Sequence, residues 1–169
     1  AINLKRIKAV SLLQLDSTDC GAACLASVIR YCGGDSSIDQ IRRLSGTSQS
    51  GTSMLGLFQA AKSAGMEATG YEASVNDAIE YTGILILHVT PERGYEHYIV
   101  SYGYADNRFI IWDPAQGLIL KTRDEVESIW LSHKCLAINP GENFTYHATT
   151  IRNKRQWITD TIKPDIELL

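Results

Sequence analysis

The stretch from Gln14 to Tyr31 constrains the chain most. Gln14-Leu15-Asp16-Ser17-Thr18-Asp19 is small, polar and turn-prone, and it feeds straight into an apolar run that begins at Cys20. Ala22, Ala23, Leu25, Ala26, Val28 and Ile29 follow at helical spacing and give that segment a body to bury. The pattern predicts a helix over 20–31, stopped at Gly33-Gly34, because glycine readily takes the left-handed conformation that ends a helix. Asp19 and the residues before it are placed to cap the first free amides. Cys20 then falls in the first turn, where those amides and the positive end of the helix dipole stabilise negative charge. The thiolate is the reactive form of cysteine, so a nucleophile is expected here. Gly21 is expected to leave room for another chain to approach the sulfur.

At 169 residues the chain fits one domain with an appendage. Hydrophobic content of 44% and charged content of 21% are those of a soluble globular protein. A net charge of -3, with basic residues scattered apart from Arg152, Lys154 and Arg155, gives no nucleic-acid signature. No signal peptide opens the chain, and no apolar run approaches the roughly 20 residues that span a bilayer. Cys24 and Cys32 fit the apolar helical pattern and Cys135 lies in a strand-like run. A domain of this size holds together without bridges, so Cys20, Cys24, Cys32 and Cys135 are expected to be reduced, which favours a cytosolic setting.

Residues 1–13 read as a lead-in, extended over 10–13. Ser36 or Ser37 opens a second helix carrying Ile38, Ile41 and Leu44. Thr52 or Ser53 opens a third, with Leu55, Phe58 and Ala61, ending near Gly65; Leu55, Leu57 and Phe58 are expected to pack in the core, with an apolar binding surface as the alternative. Downstream, strands are predicted at 66–71, 83–89, 97–104, 108–113, 118–121 and 134–139, with a turn over 91–94. Short helices start after Ser74 and at the Thr122–Glu125 capping-box spacing, the latter running to about Trp130. Helices first and strands afterwards predict an α+β domain over 1–140, its N-terminal helices packed on a twisted antiparallel sheet. Residues 141–169 lose clear periodicity, although they carry Trp157, Ile158, Ile162 and Ile166, and read as a C-terminal linker or extension.

A cysteine nucleophile needs a base, and the base an orienting group. His133 and His147 lie in poorly patterned stretches and read as surface residues; His88 ends an apolar run and reads as structural. His97 differs. If Ala105-Asp106-Asn107 forms a turn, His97 and Asp113 are equidistant from residue 105 and face each other on adjacent antiparallel strands. A slip of one pair leaves them diagonal neighbours, still within reach. Asp113 then holds one ring nitrogen and leaves the other for Cys20. Gln14, just before the helix, is on spacing alone a polar loop residue, but its amide is placed to lie beside the Cys20 backbone amide as an oxyanion donor. Cys20 and Cys24 share a helical face, but no further Cys or His pair completes the four ligands of a zinc site. Residues 51–56 lack the lysine of a phosphate-binding loop. No metal or cofactor is expected.

Together these residues resemble the C39 peptidase domains, the bacteriocin-processing cysteine peptidases that typically form the N-terminus of ATP-binding-cassette exporters. The resemblance runs over about 12–139 in three blocks. These are Gln14 with Asp19-Cys20-Gly21-Ala22-Ala23-Cys24-Leu25, Tyr31 and Gly33; Glu96-His97-Tyr98-Ile99-Val100; and Asp113-Pro114-Ala115-Gln116-Gly117. Cys32 departs from the pattern, where an aromatic is common. The resemblance implies a papain-like cysteine peptidase fold with Cys20 as nucleophile, His97 as base, Asp113 as orienter and Gln14 as the oxyanion-hole glutamine. It implies cleavage after a double-glycine-type motif, releasing a bacteriocin, pheromone or modified peptide from its leader. The leader would bind as an amphipathic helix on an apolar surface, its small residues entering a narrow cleft beside the thiol. The implied partners are that leader peptide and the transmembrane and nucleotide-binding domains of an ABC exporter. The implied location is the cytoplasmic side of the membrane, or the cytoplasm for a free-standing form. ATP would serve only a transporter segment outside this chain, and 141–169 would be membrane-proximal. Two alternatives stay open: a docking domain that binds leaders without cutting, which the retained Cys20, His97 and Asp113 disfavour, and another thiol amidase or acyltransferase.

Overall fold

The structure is a computed structural model and describes residues 2–147. Its first element is a helix, α1 (Leu4–Val10), in the lead-in for which the sequence pattern predicted no helix. The Asn3 side chain accepts from the Arg6 amide and caps it, and Ile7 is fully buried. Arg6 Nε donates to Tyr31 O at 2.7 Å and Arg30 Nε to Val10 O at 2.6 Å, fastening α1 to the next helix, α2 (Cys20–Tyr31). Nearly every residue of α2 is buried, and Gly33 at φ 101° ends it as the sequence predicts. Ser37 caps α3 (Ile38–Ser45) and Ser53 caps α4 (Met54–Ser63). Gly56 lets α4 close on α3: a Cβ there would sit 2.4 Å from the Ser45 carbonyl oxygen. Leu57 is buried and Phe58 half-buried, but Leu55 points outward and is 64% exposed, so it does not belong to the core.

The strands are β1 (Met66–Glu72), β2 (Ile84–Glu92), β3 (Tyr95–Ala105), β4 (Arg108–Asp113), β5 (Gly117–Lys121) and β6 (Lys134–Pro140). All pairings are antiparallel, in the order β1-β6-β2-β3-β4-β5. β2 to β5 pair in chain order as a meander. β6 does not close an edge; it returns between β1 and β2, with Leu136 opposite both Gly70 and Ile86. β2 runs on through Pro91 to Glu92, so the turn is shorter than expected, with Gly94 at φ 80°. Capping boxes at Ser74 and Thr122 open α5 (Val75–Glu80) and α6 (Arg123–Ile129).

Strand alternation sorts the core into two layers. Ile86, Tyr98, Val100, Tyr102, Ile110 and Trp112 pack with α2 and with Leu57, Ala60 and Ala61 of α4. Leu85, Leu87, Val89, Ile99, Phe109 and Ile111 pack with Val75 of α5, Val126 of α6 and Trp130. Each large apolar side chain so buried contributes roughly 1.5–3 kcal/mol. The fold is α+β, with α2 lying on one face of the sheet so that its first turn reaches the strand ends. Residues 141–147 pack back on this body: Phe144 is buried, Gly141 N donates to Gly65 O and His147 N to Gly33 O. The rest of the 141–169 extension, with Trp157 and the basic cluster, lies outside the described residues. Among the described residues no helix is long and apolar enough to cross a membrane.

Candidate active site

The loop before α2 is organised by two aspartates in a division of labour that differs from the expected one. Asp16 caps a 3-10 turn, Ser17–Asp19, accepting from Thr18 N at 2.8 Å. Asp19 makes no capping bond to α2. Its Oδ2 instead accepts from Leu15 N at 3.2 Å and Asp16 N at 3.3 Å, while Oδ1 pairs with Arg42 of α3. Arg42 Nη1 also donates to Thr18 Oγ1 at 2.9 Å. The buried Asp19 carboxylate therefore folds the loop back on itself and anchors it to α3, which fixes where Cys20 begins its helix.

Cys20 is 5% exposed. The space kept by Gly21 is taken up by the fold rather than left for a visiting chain. A Cβ at Gly21 would lie 3.2 Å from Tyr98 Cδ2 and 3.3 Å from Leu57 Cδ1.

His97, on β3, is 1% exposed. Its Nε2 lies 2.8 Å from Asp113 Oδ1 at the end of β4, and that oxygen also accepts from Ala115 N at 2.9 Å. The pairing is diagonal rather than direct. Val100 pairs with Trp112, which sets Asp113 level with Ile99. The cause is the turn itself, which puts Ala105 opposite Arg108 and so is centred beyond residue 105; the irregularity between Ser101 and Tyr104, where Gly103 adopts φ 136°, shifts the register by one and brings Asp113 onto the His97 side of the sheet. With Nε2 held by Asp113, Nδ1 is left for the Cys20 thiol, which lies near enough to the ring to favour its charged form. Burial opposes a charge on His97. The hydrogen bond to Asp113, the Cys20 sulfur near the ring and the negative charge of both outweigh it and raise the imidazole to about 9.

Gln14 joins the same group. Its backbone N donates to Pro114 O at 2.8 Å, next to Asp113, and Trp112 Nε1 donates to Leu12 O at 2.9 Å. Its side-chain amide lies near the Tyr95 hydroxyl. Tyr95 was not singled out in the sequence, yet its hydroxyl stands 3.2 Å from His97 Nδ1 and its ring stacks on the imidazole. The available signal was its place two residues before His97, on the same side of a strand.

The remaining candidates stay outside the site. His88 bonds Glu96 and Ser132. His133 is half-buried, not a plain surface residue: its Nδ1 lies 2.8 Å from Ala73 O and its ring leans on Trp130. His147 is exposed. All four cysteines are free. Burial pushes the thiol of Cys24 well up, Cys32 to about 12 and Cys135 to about 11. Cys24 donates to Tyr98 O rather than reaching Cys20. Among the described residues no three His, Cys, Asp or Glu side chains gather to hold a metal ion.

The sequence and fold have counterparts among known proteins. The model of the peptidase C39 family matches residues 8–143. The lactococcin-G-processing and transport ATP-binding protein LagD of Lactococcus lactis is 34% identical over 122 residues. That match covers 70% of this chain and 17% of the relative, so the chain spans about a sixth of that protein. The peptidase domain of Streptococcus ComA, a bi-functional ABC transporter involved in quorum sensing, superimposes with a TM-score of 0.70 at 34% identity. That superposition covers 76% of this chain and 96% of that one. A double-glycine-motif protease from an AMS/PCAT transporter, solved with its leader peptide, gives a TM-score of 0.69 at 28% identity, covering 76% of this chain and 89% of that one.

Proposed function

This chain belongs to the peptidase C39 family, and from that premise we propose that it is a cysteine endopeptidase that removes the leader from a secreted precursor peptide. Cleavage follows a double-glycine-type motif, and the domain works with the membrane and ATPase domains of an ABC exporter, on the cytoplasmic side. The observation that carries this reading is the convergence of Cys20, His97 and Asp113, from a helix start and two strands, with the Gln14 carboxamide beside them.

The Cys20 thiolate attacks the carbonyl carbon that ends the leader. The Cys20 backbone amide and a Gln14 N–H hold the oxyanion. His97 gives its Nδ1 proton to the leaving nitrogen, the C–N bond breaks, and the mature peptide departs with a new amino terminus. A water then loses its proton to His97 and attacks the thioester, freeing the leader's carboxylate and restoring the thiolate. Asp113 holds the ring and offsets its positive charge throughout. Protein groups alone supply these steps. With Cys20 5% exposed and His97 1% exposed, a chain without side chains is best suited to reach the sulfur, which favours glycine at the cut. Leu13, Leu15 and Leu55 are exposed on the loop before α2 and on α4, where they offer apolar contact to a leader helix.

The test is a synthetic leader–core peptide whose leader ends in Gly-Gly, incubated with the reduced protein between pH 6 and 8. Cleavage directly after the second glycine is expected, abolished in Cys20→Ala. No cleavage by the intact protein, or equal cleavage by Cys20→Ala, removes the proposal. Faster turnover of small acyl amides than of the peptide would favour a thiol amidase instead.

A further inference from the structure

Arg42 stands on α3, a helix that gives the site none of its reacting groups, yet its guanidinium reaches the loop before α2. Its Nη1 pairs with Asp19 Oδ1 and donates to Thr18 Oγ1 at 2.9 Å. Thr18 Oγ1 in turn donates to Asp16 Oδ1 at 2.6 Å. The other Asp19 oxygen, Oδ2, accepts from Leu15 N at 3.2 Å and from Asp16 N at 3.3 Å. The Leu15 amide belongs to the peptide that leaves Gln14, and the peptide that enters Gln14 donates its N–H to Pro114 O at 2.8 Å. Both peptide planes at Gln14 are therefore held, which fixes its two backbone dihedrals and so the direction of its side chain. That hold matters because Gln14 Oε1 is buried and makes no hydrogen bond with the protein. Asp19 is also the residue whose carbonyl carbon carries the Cys20 N–H. We infer that Arg42 is a positioning residue: by pinning Asp19 it sets both oxyanion donors, the Gln14 carboxamide and the Cys20 amide, against each other from outside the site.

Charge explains why a cation is needed there. The Asp19 side chain is 5% exposed, and a carboxylate so buried keeps its place only when its charge is met. With the guanidinium on Oδ1, Oδ2 is left to the two loop amides. Without it the carboxylate is drawn toward water, and Leu15 N and Asp16 N lose the acceptor that folds the loop back. One nitrogen, Nη1, makes both bonds, so the ammonium of a lysine can stand in for it. Arg42 need not touch the substrate to do this.

The inference rests on the roles proposed for Cys20 and Gln14, and its test separates the two. Cleavage of the Gly-Gly leader–core peptide is measured for the intact protein, Arg42→Ala, Arg42→Lys, Gln14→Ala and the Arg42→Ala, Gln14→Ala double variant. Arg42→Ala is expected to lower kcat about 30-fold with KM within about twofold, because the oxyanion donors act in the transition state. Arg42→Lys should recover to within about fivefold of the intact protein. In the Gln14→Ala background, Arg42→Ala should cost no more than about threefold, since most of what it positions is already gone. Alkylation of Cys20 by iodoacetamide at pH 7 forms no oxyanion, so its rate in Arg42→Ala should stay within about twofold of the intact protein. An Arg42→Ala kcat equal to that of the intact protein, an Arg42→Lys as slow as Arg42→Ala, losses that multiply, or alkylation that slows as far as kcat each overturn the inference. Where Arg42→Ala does not fold, Arg42→Gln, which keeps an N–H donor and drops the charge, is read in its place against the same outcomes. If the intact protein cuts nothing, the functional proposal fails by itself, and amide hydrogen exchange decides for Arg42. Leu15 N and Asp16 N should then exchange at least about tenfold faster in Arg42→Ala, while the amides of Tyr98, Ile99 and Val100 in β3 keep their rates. Unchanged exchange at Leu15 and Asp16 overturns the inference.

Discussion

His97 and His88 stand on neighbouring strands and are dressed alike. His97 Nε2 meets the Asp113 carboxylate at 2.8 Å, and its Nδ1 lies 3.2 Å from the Tyr95 hydroxyl. His88 Nε2 meets the Glu96 carboxylate at 2.8 Å, and its Nδ1 lies 2.9 Å from the Ser132 hydroxyl. A carboxylate, an imidazole and a hydroxyl in line thus occur twice on one sheet. Two differences separate them. The Asp113 side chain is 8% exposed and Glu96 is 62% exposed, so solvent screens the second pair and not the first. His97 also faces a sulfur at the start of a buried helix, whereas the Ser132 hydroxyl donates to the His88 backbone oxygen and serves the loop. Hydrogen-bond pattern alone does not make a catalytic group; burial and a nucleophile held by a separate element do.

The strongest way to break this contrast is to remove the proposed nucleophile and base. Cys20→Ala and His97→Ala should each lower leader cleavage by at least about 10⁴-fold, read by mass spectrometry of the products; loss of a few fold would end the distinction. Asp113→Ala should cost about 10²–10⁴-fold in kcat, as the ring loses its orientation. The matched Glu96→Ala should stay within about twofold, because a screened pair carries little. The pH profile sharpens the comparison further. His97 is raised from 6.5 to about 9, so the imidazolium that protonates the leaving nitrogen persists through neutral pH and is lost as pH rises through about 9. A kcat/KM profile for the peptide should fall on its alkaline side near that value, and a fall centred near 6.5 would contradict the assignment. Arg42→Ala tests the placement of Cys20 rather than the ring. It leaves the Asp19 carboxylate buried with its amide donors only, and with Arg42 30% exposed the loss in urea unfolding should be about 1–2 kcal/mol. The smallest effect belongs to His88→Gln, with cleavage within about twofold of the intact protein.

Much of this was legible because it is local. Ser37, Ser53, Ser74 and Thr122 each cap the helix they precede, and Gly33, Gly46 and Gly65 mark helix ends with positive φ. The pairing of His97 with Asp113 was legible from distance along the chain, although a turn that puts Ala105 opposite Arg108 made it a diagonal pair rather than a direct one. What escaped depended on distant partners. α1 is short, and Arg6 and Arg30 of facing helices help hold it in place. The return of β6 between β1 and β2 leaves no local mark, since Cys135 and Leu136 are apolar beside either neighbour. Asp19 looked like a helix cap because its sequence neighbours fit one. Its carboxylate is claimed instead by Arg42, 23 positions away. Tyr95 escaped because its ring meets His97 only after the strand turns it inward.

The joint between the amino-terminal lead-in and β4 sets a practical boundary. Gln14 N is stapled to Pro114 O, Leu12 O to the Trp112 indole and Leu12 N to Ser27, so the strap carrying the glutamine is seated by atoms upstream of it. A protein trimmed to begin at Gln14 would keep Cys20, His97, Asp113 and the glutamine itself, and would lose the Leu12 moorings that seat that glutamine.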